Sequence, residues 1–251
     1  MSDLITVQGV VLSSMPVGEY DKRIVLLTRE RGKISAFAKG ARRPNSPFMA
    51  AASPFVFGSF SLYEGRSSYN LNHAEITHHF TELAALQPGI YYGYYFLELL
   101  DYFGREGLDQ TQEMNLLYVT VKALLNPSID DRLIRCVFEL RLLVTEGLMP
   151  EMEQCMSCGC DVTDESTVWF SLRENGILCG KCHENDPQAV RISAQTLYAM
   201  RWIAAVPLGK LYTFTLKEEY LQELWSVVVP YTGKNTDRPL KSLEILEMMV
   251  S

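Results

Sequence analysis

The spacing of hydrophobic residues divides the chain into a part with strand periodicity and a part with helix periodicity. Up to about residue 80, short apolar stretches alternate with polar positions and are separated by turn residues, which predicts five strands. These strands are predicted at residues 5–12, 24–28, 33–38, 55–63 and 69–76. Five short strands without a helical repeat indicate a small β-barrel, and the five-stranded OB-fold is the first candidate, with another small barrel as the alternative.

Two details of the predicted barrel come from its glycines and prolines. Gly9 interrupts the first strand and is predicted to mark a β-bulge. Residues 15–21 contain Pro16 and Gly18 and are predicted as a turn-rich loop, whereas residues 29–32 are predicted as a hairpin turn.

The remainder of the chain is predicted to be helical. Apolar residues recur every three or four positions, which is typical of helices packed on a core. The predicted helices are residues 88–104, 111–125, 129–146, a helix capped by Ser193 that ends at Ala205, 217–229 and 240–249. The fold class is therefore α+β, with a β-barrel domain at residues 1–80 and a helical domain at residues 81–251.

Composition adds a charge asymmetry to this division. The chain has 251 residues and a net charge of −7. Residues 1–80 hold 9 Lys and Arg against 6 Asp and Glu, a balance of +3, and the other residues hold 14 against 24, a balance of −10. The acidic total therefore does not exclude a nucleic-acid partner for the barrel, because the local field matters more than the net charge.

The positive charges of the barrel are concentrated on one predicted hairpin and the loop after it. Residues 22–43 contain eight Lys and Arg and one acid, Glu30. The loop 39–47 carries three positive charges and no negative ones. This density is what binding to a phosphate backbone requires. The predicted nucleic-acid contacts are Arg23, Arg29, Arg31, Lys33, Lys39, Arg42 and Arg43. The aromatic residues considered for base stacking are Phe37, Phe48, Phe55 and Tyr63, although core packing is the simpler role for them.

Five of the six cysteines cluster between residues 155 and 182. Cys155 and Cys158 form one Cys-x-x-Cys pair, and Cys179 and Cys182 form a second. The residues between the pairs predict a short hairpin, with a strand at 167–171, a turn at 174–176 and a return at 177–178. Two such pairs joined by a hairpin predict a structural Zn²⁺ site with four thiolate ligands.

The fifth cysteine of this cluster, Cys160, follows the first pair closely and is either a spare thiol or a competing ligand. The zinc segment, at about residues 152–186, is predicted as an insert in the helical domain. Cys136 lies in a helical pattern and is predicted to be a buried thiol.

Enzymatic alternatives find little support in the motifs. His73 and Glu75 followed by Cys-x-x-Cys are similar to a zinc deaminase signature, but the segment reads as a strand and a second cysteine pair completes the metal site. Phosphate-binding loops and nucleophile elbows are absent from the sequence. A zinc hydrolase or deaminase and an RNA-binding OB protein with a zinc knuckle remain the rival classes.

The N-terminal sequence does not predict export. Met1 to Leu4 show no basic region followed by an apolar run, and no apolar stretch reaches the length of about 20 residues that spans a bilayer. We expect a cytoplasmic protein without a membrane partner.

Several of these stretches together resemble the RecO family of bacterial recombination mediators. The matching residues are Gly18 to Lys22, Leu27 to Lys33, Lys39 to Pro44, Leu140 to Leu143 with Gly147 and Pro150, Cys155 with Cys158 and Gly159, and Cys179 with Cys182. Cys160 is not part of the family pattern, which leaves its role open.

The resemblance implies a non-catalytic protein that acts in DNA repair and recombination near the nucleoid. It implies an N-terminal OB-fold, a helical C-terminal domain and a structural zinc. It also implies binding to single- and double-stranded DNA, annealing of complementary strands and, with RecR, assistance to RecA in displacing single-strand-binding protein (SSB). The acidic C-terminal tail of SSB is implied as a partner of the helical domain.

Overall fold

The described part of the chain forms two compact units. The structure is a computed structural model that describes residues 3–66, 68–163 and 165–250. One unit holds the described residues up to Val121 together with those from Leu240 onward, and the other holds the residues from Lys122 to Pro239. The boundary at residue 80 stays a prediction.

A closed five-stranded barrel forms the first part of the first unit. Its strands are β1 (Leu4–Val17), β2 (Asp21–Thr28), β3 (Gly32–Ala38), β4 (Val56–Glu64) and β5 (Tyr69–His79). The strand order around the barrel is β1-β2-β3-β5-β4, and β1 pairs with both β2 and β4 to close it. All neighbouring strands are antiparallel except β3 and β5. The predicted OB-fold barrel is confirmed.

The inside of the barrel is filled by the apolar residues that alternate along its strands. Every second residue of β3 is buried, whereas the residues between are half-buried. The core is made of Val7, Val11, Ile24, Leu26, Ile34, Ala36, Ala38, Ala41, Ala52, Val56, Phe60, Leu62, Tyr69 and Leu71. The alternation leaves the outer face of β2 and β3 free for polar and charged side chains.

Strand β1 is longer than predicted and its irregularity lies elsewhere. Residues 15–17 are not a loop, because they pair with residues 21–23 of β2. Proline has no backbone N–H, so Pro16 is tolerated at a strand position that donates no hydrogen bond to the neighbouring strand. The bulge falls between Val11 and Ser13, and the prediction of a bulge at Gly9 is wrong. Gly9 lies in register with Thr28 and Gly58, and a Cβ there would stand 2.9 Å from the Leu27 carbonyl oxygen.

Helices complete the first unit. They are α1 (Phe48–Ala51), α2 (Gly89–Phe103), the first residues of α3 (Thr111–Leu124) and α7 (Lys241–Val250). The Glu98 carboxylate of α2 accepts hydrogen bonds from the backbone N–H groups of Lys241 and Ser242, at 3.2 and 2.7 Å. These bonds satisfy donors at the first turn of α7 that the helix itself leaves unpaired.

The second unit is helical, as predicted. Its helices after the end of α3 are α4 (Asp131–Thr145), α5 (Ala194–Ala205) and α6 (Glu218–Lys234). Ser193 caps α5 by accepting a hydrogen bond from the Thr196 N–H. Gly147, two residues after the end of α4, has a left-handed backbone conformation with φ of +75°, which is typical of the residue that follows a helix. Helix α6 continues through Pro230 to Lys234, so its predicted end at residue 229 is wrong.

A buried ion pair lies in the core of this unit. Arg135 and Glu139, one turn apart on α4, are 2% and 0% exposed, and Arg135 Nε is 2.6 Å from Glu139 Oε1. The Arg135 guanidinium also lies over the Trp225 ring of α6, 4.7 Å from its centroid. Charged groups are retained at such depth only when they are paired.

A small three-stranded sheet lies between α4 and α5 in the sequence. It contains β6 (Thr167–Ser171), β7 (Gly176–Leu178) and β8 (Val190–Ser193), in the order β7-β6-β8. The predicted β6–β7 hairpin is confirmed. Strand β8 escapes sequence analysis because it has four residues and is defined by its pairing with β6.

We predict that Gly32→Ala destabilises the protein more than Gly18→Ala. Both glycines have left-handed backbone conformations, with φ of +65° and +57°. A Cβ at Gly32 would meet the Arg105 carbonyl oxygen at 2.0 Å, whereas one at Gly18 has no atom within 4 Å. We expect the free energy of unfolding in urea to fall by about 1 kcal/mol for Gly18→Ala and by about 2 to 4 kcal/mol for Gly32→Ala. Equal decreases would show that backbone strain alone determines both.

Candidate nucleic-acid interface and metal centre

The seven predicted nucleic-acid contacts occupy opposite ends of the β2–β3 hairpin. Arg29 and Arg31 lie in the turn between the strands, whereas Lys39, Arg42 and Arg43 lie in the loop after β3. Residues Lys22 to Thr28 of β2 pair with residues Ala38 to Gly32 of β3. The two ends of this hairpin are therefore separated by about 20 Å of strand. The structure therefore divides the cations into two groups. All seven are exposed except Lys33, which is half-buried.

The loop after β3 is held against the tip of the β1–β2 hairpin. The Arg42 backbone N–H donates to the Tyr20 carbonyl oxygen at 2.8 Å, and Arg42 Nη1 donates to the Gly18 carbonyl oxygen at 3.3 Å. The Gly40 N–H donates to Asp21 Oδ1 at 2.7 Å. These bonds fix the backbone of the loop, while the charged ends of Arg42 and Arg43 stay at the surface.

The field at this end of the hairpin is positive. Burial, and then the positive charge of Arg42, lowers the pKa of the neighbouring Lys22. Lys22 Nζ donates to the Ala52 carbonyl oxygen at 3.1 Å. The Arg43 guanidinium lies over the Tyr20 ring, 5.1 Å from its centroid. An anion that approached here would meet fixed cations with an aromatic ring beside them.

The outer face of β2 and β3 forms a shallow groove of about 620 Å³ with mixed charge. Arg23 crosses it and donates from Nε to Ser35 Oγ at 2.7 Å. Lys33 bonds to the Asp101 carbonyl oxygen and lies 3.6 Å from the Asp101 carboxylate. The groove is also lined by Glu64 and Glu106. These acids oppose a polyanion, so the groove is electrostatically weaker than the loop after β3.

The aromatic residues divide between core and surface. Phe55 is 4% exposed and belongs to the interior, and Phe37 and Phe48 are half-buried. Tyr63 and Tyr20 are 40% and 41% exposed. Sequence reasoning misses Tyr20, although its place in a turn beside Gly18 and close to basic residues is a usable signal.

The cysteine segment brings its thiols together at one point. The Sγ atoms of Cys155, Cys158, Cys160 and Cys179 all lie within 4.8 Å of one another. Cys182 interacts through its thiol with the Cys158, Cys179 and Cys155 thiols. The structure therefore brings four sulfurs together, the number that a tetrahedral metal takes, and Cys182 is not one of these four. All six cysteines lie in the described ranges and are free thiols.

Backbone N–H groups favour ionisation at two of these sulfurs. Burial raises the pKa of Cys179, but N–H groups of Cys182 and Lys181 donate to its sulfur, and the net result is a pKa of about 6. The pKa of Cys158 is lowered, chiefly by the backbone N–H of Cys160. Thiolates are the form that binds metal, so this donor set fits a zinc ion.

Neighbouring sulfurs raise the pKa of both Cys160 and Cys182. The Cys160 thiol donates to Cys158, which raises the pKa of Cys160 to about 12. A bond with Ser157 lowers the pKa of Cys182, but bonds with Cys158 and Cys179 outweigh it and raise that pKa to about 12 as well. The predicted ligands Cys155, Cys158 and Cys179 lie together, and the choice of Cys182 as the fourth stays a prediction.

One further sequence prediction, the burial of Cys136, is confirmed. Cys136 is fully buried in α4, and burial raises its pKa well above the ordinary value. His183, next to Cys182, stacks on the Trp169 ring with centroids 3.8 Å apart. In the described ranges, no helix has both the length and the apolar character needed to cross a membrane.

Comparisons with known proteins match nearly the whole chain to one family. The family model "Recombination protein O N terminal" matches residues 1–80, and "Recombination protein O C terminal" matches residues 89–244. The chain is 32% identical to the DNA repair protein RecO of Alkaliphilus metalliredigens, covering 96% of this chain and 98% of that protein. It is 31% identical to the DNA repair protein RecO of Bacillus subtilis, covering 97% and 94%. On both halves of its length, the chain belongs to the RecO family.

Proposed function

We propose that this protein is a non-enzymatic mediator of DNA repair and recombination. It binds single- and double-stranded DNA, promotes annealing of complementary strands and, with RecR, helps RecA to load on single strands coated with SSB. It works in the cytoplasm at the nucleoid. The observation that carries the proposal is the cation-bearing loop 39–43, held on an OB-fold barrel in a chain of the RecO family.

The division of labour follows the two predicted domains. Residues 1–80 bind nucleic acid, and residues 81–251 contact partner proteins, because a balance of −10 repels phosphate. The DNA contacts are Arg23, Arg29, Arg31, Lys33, Lys39, Arg42 and Arg43. They bind phosphates rather than base edges, because they are long cations on turns and strands with no helix there to enter a groove.

A zinc ion stabilises the cysteine segment in this proposal. Cys155, Cys158 and Cys179 supply three ligands, and Cys182 supplies the fourth, as the pairing of two Cys-x-x-Cys turns indicates. Four thiolates leave no open position, so the metal is structural. Support comes from the N–H groups of Lys181 and Cys182, which hold the Cys179 sulfur at the centre of the second turn.

The acidic tail of SSB docks in a cavity on the helical unit. This cavity of about 730 Å³ is mostly apolar and is also lined by Lys217 and by Arg201, whose guanidinium bonds to the Met152 carbonyl oxygen and pairs with Glu153. Trp202 lines it, and the buried Trp202 Nε1 has no hydrogen-bond partner in the described structure. An acidic peptide with apolar side chains matches this combination, because its carboxylates neutralise the cations while its apolar groups fill the cavity.

We predict that Arg42→Ala with Arg43→Ala weakens binding to all DNA sequences alike. Each phosphate contact releases counterions, so removing one contact reduces the slope of log affinity against log salt by about 0.7 to 0.9. A salt titration with single-stranded and duplex oligonucleotides measures this slope, and annealing of complementary strands falls with it. Lys210→Ala is the matched control, because Lys210 is an exposed cation of the helical unit. An unchanged affinity and slope in the double variant would place DNA on another surface.

We predict that Cys158→Ser and Cys182→Ser each lower the zinc content and the thermal stability. Metal binding at such sites contributes directly to folding free energy. Cys160→Ser is the matched control and is expected to retain one zinc per chain. The zinc content of each variant is measured, and spectroscopy of cobalt-substituted protein counts the sulfur ligands. If Cys160→Ser releases the metal and Cys182→Ser retains it, Cys160 is the fourth ligand instead.

We predict that Lys217→Glu abolishes binding of a synthetic SSB tail peptide, because it replaces an attraction to the acidic tail by a repulsion. Fluorescence anisotropy with a labelled peptide measures the affinity, and a decrease of more than about tenfold is expected. Lys210→Glu is the control, since Lys210 is an exposed lysine of the same unit that does not line the cavity. Equal peptide affinity for the wild type and Lys217→Glu would show that the tail does not dock in this cavity.

A further inference from the structure

Tyr20 is an exposed aromatic residue at the tip of the β1–β2 hairpin. Strand β1 continues past its bulge to Val17, which pairs with Asp21, so the hairpin extends to a turn at Gly18. Tyr20 is 41% exposed at this tip, and Met15 in the same hairpin is 62% exposed. The loop between the first two strands is one of the two loops with which OB-folds bind oligonucleotides.

The position of Tyr20 is fixed before any ligand arrives. Its carbonyl oxygen accepts the Arg42 N–H at 2.8 Å, and the next residue, Asp21, accepts the Gly40 N–H at 2.7 Å. The Arg43 guanidinium lies 5.1 Å from the centroid of the Tyr20 ring. A hairpin tip whose backbone is already ordered loses less conformational entropy when a ligand binds to it.

The setting of Tyr20 differs from that of the other strongly exposed tyrosine of the barrel. Tyr63 is 40% exposed, close to the value of Tyr20. It pairs with Leu4 and Asn70 and is followed by the acidic Glu64. Tyr20 also has acidic neighbours, Glu19 and Asp21, but Asp21 accepts the Gly40 N–H and the Arg43 guanidinium lies over the Tyr20 ring. Cations that track a phosphate backbone beside an aromatic face are the combination that binds single-stranded nucleic acid.

We propose that Tyr20 stacks on a base of single-stranded DNA while Arg42 and Arg43 contact the adjacent phosphates. The inference rests on the proposed DNA-binding function. In a duplex both faces of every internal base are covered by neighbouring bases, so only the phosphate contacts remain. Tyr20 therefore makes the barrel prefer single strands. Pairing of two strands withdraws the base from the ring, which favours release of the annealed product.

The test compares Tyr20→Ala, Tyr20→Phe and the control Tyr63→Ala on three ligands of equal length. These are a mixed-sequence single strand, an abasic strand that keeps the phosphates, and a duplex. Tyr20→Ala is expected to weaken binding to the single strand by about 5- to 150-fold, the usual contribution of one stacked base. Affinities for the abasic strand and the duplex stay unchanged. Tyr20→Phe and Tyr63→Ala bind all three ligands as wild type does.

The salt dependence of binding distinguishes a loss of stacking from a loss of order in the loop as the cause of weaker affinity in Tyr20→Ala. Tyr20→Ala removes no charge, so the slope of log affinity against log salt stays at the wild-type value if the loop is intact. An equal decrease in affinity for the normal strand and the abasic strand, with a smaller slope, would overturn the inference. The inference would also be overturned if Tyr20→Ala bound the single strand as tightly as the wild-type protein does. Failure of the wild-type protein to bind any DNA would instead refute the proposed function.

Discussion

The pairing of one long strand with two neighbours is the constraint on which the barrel and its cationic surface depend. Strand β1 pairs with β4 over Leu4–Val10 and with β2 over Gly9–Val17. Where the two ladders overlap, Gly9 allows the Leu27 backbone to approach closely. The bulge after Val11 then turns the rest of β1 with β2 into a projecting hairpin. Barrel closure and the exposed hairpin tip therefore come from the same strand.

This hairpin tip organises the neighbouring loop. Arg42 and Gly40 donate backbone hydrogen bonds to Tyr20 and Asp21, so a segment rich in turn residues acquires one conformation. The basic residues at the far end of the β2–β3 hairpin depend on a different contact, the close approach of Gly32 to the Arg105 carbonyl oxygen. The two cationic groups are thus fixed independently, although they are close in sequence.

The cysteine cluster depends on local structure to a greater extent. The β6–β7 hairpin joins the two cysteine turns, and the Met156 N–H donates to the Ile177 carbonyl oxygen at 2.8 Å to hold the first turn against the returning strand. The Cys155 N–H also donates to the Cys160 carbonyl oxygen at 2.8 Å, which folds Cys160 back toward the centre. This bond explains why Cys160 joins the cluster of sulfurs although it lies outside both Cys-x-x-Cys pairs.

The sequence by itself determined the five barrel strands, the β6–β7 hairpin, helices α2 to α7, the turn at Gly32, the cap at Ser193 and the cysteine pairs. Each of these depends on periodicity or on residues adjacent in the chain. The tertiary structure alone decided what depends on residues distant in sequence. It paired Pro16 into a strand, divided the cations between two ends of a hairpin and placed Tyr20 beside Arg43. Charge and spacing are properties of the chain, but which side chains meet is set by strand register, bulges and backbone contacts formed only on folding.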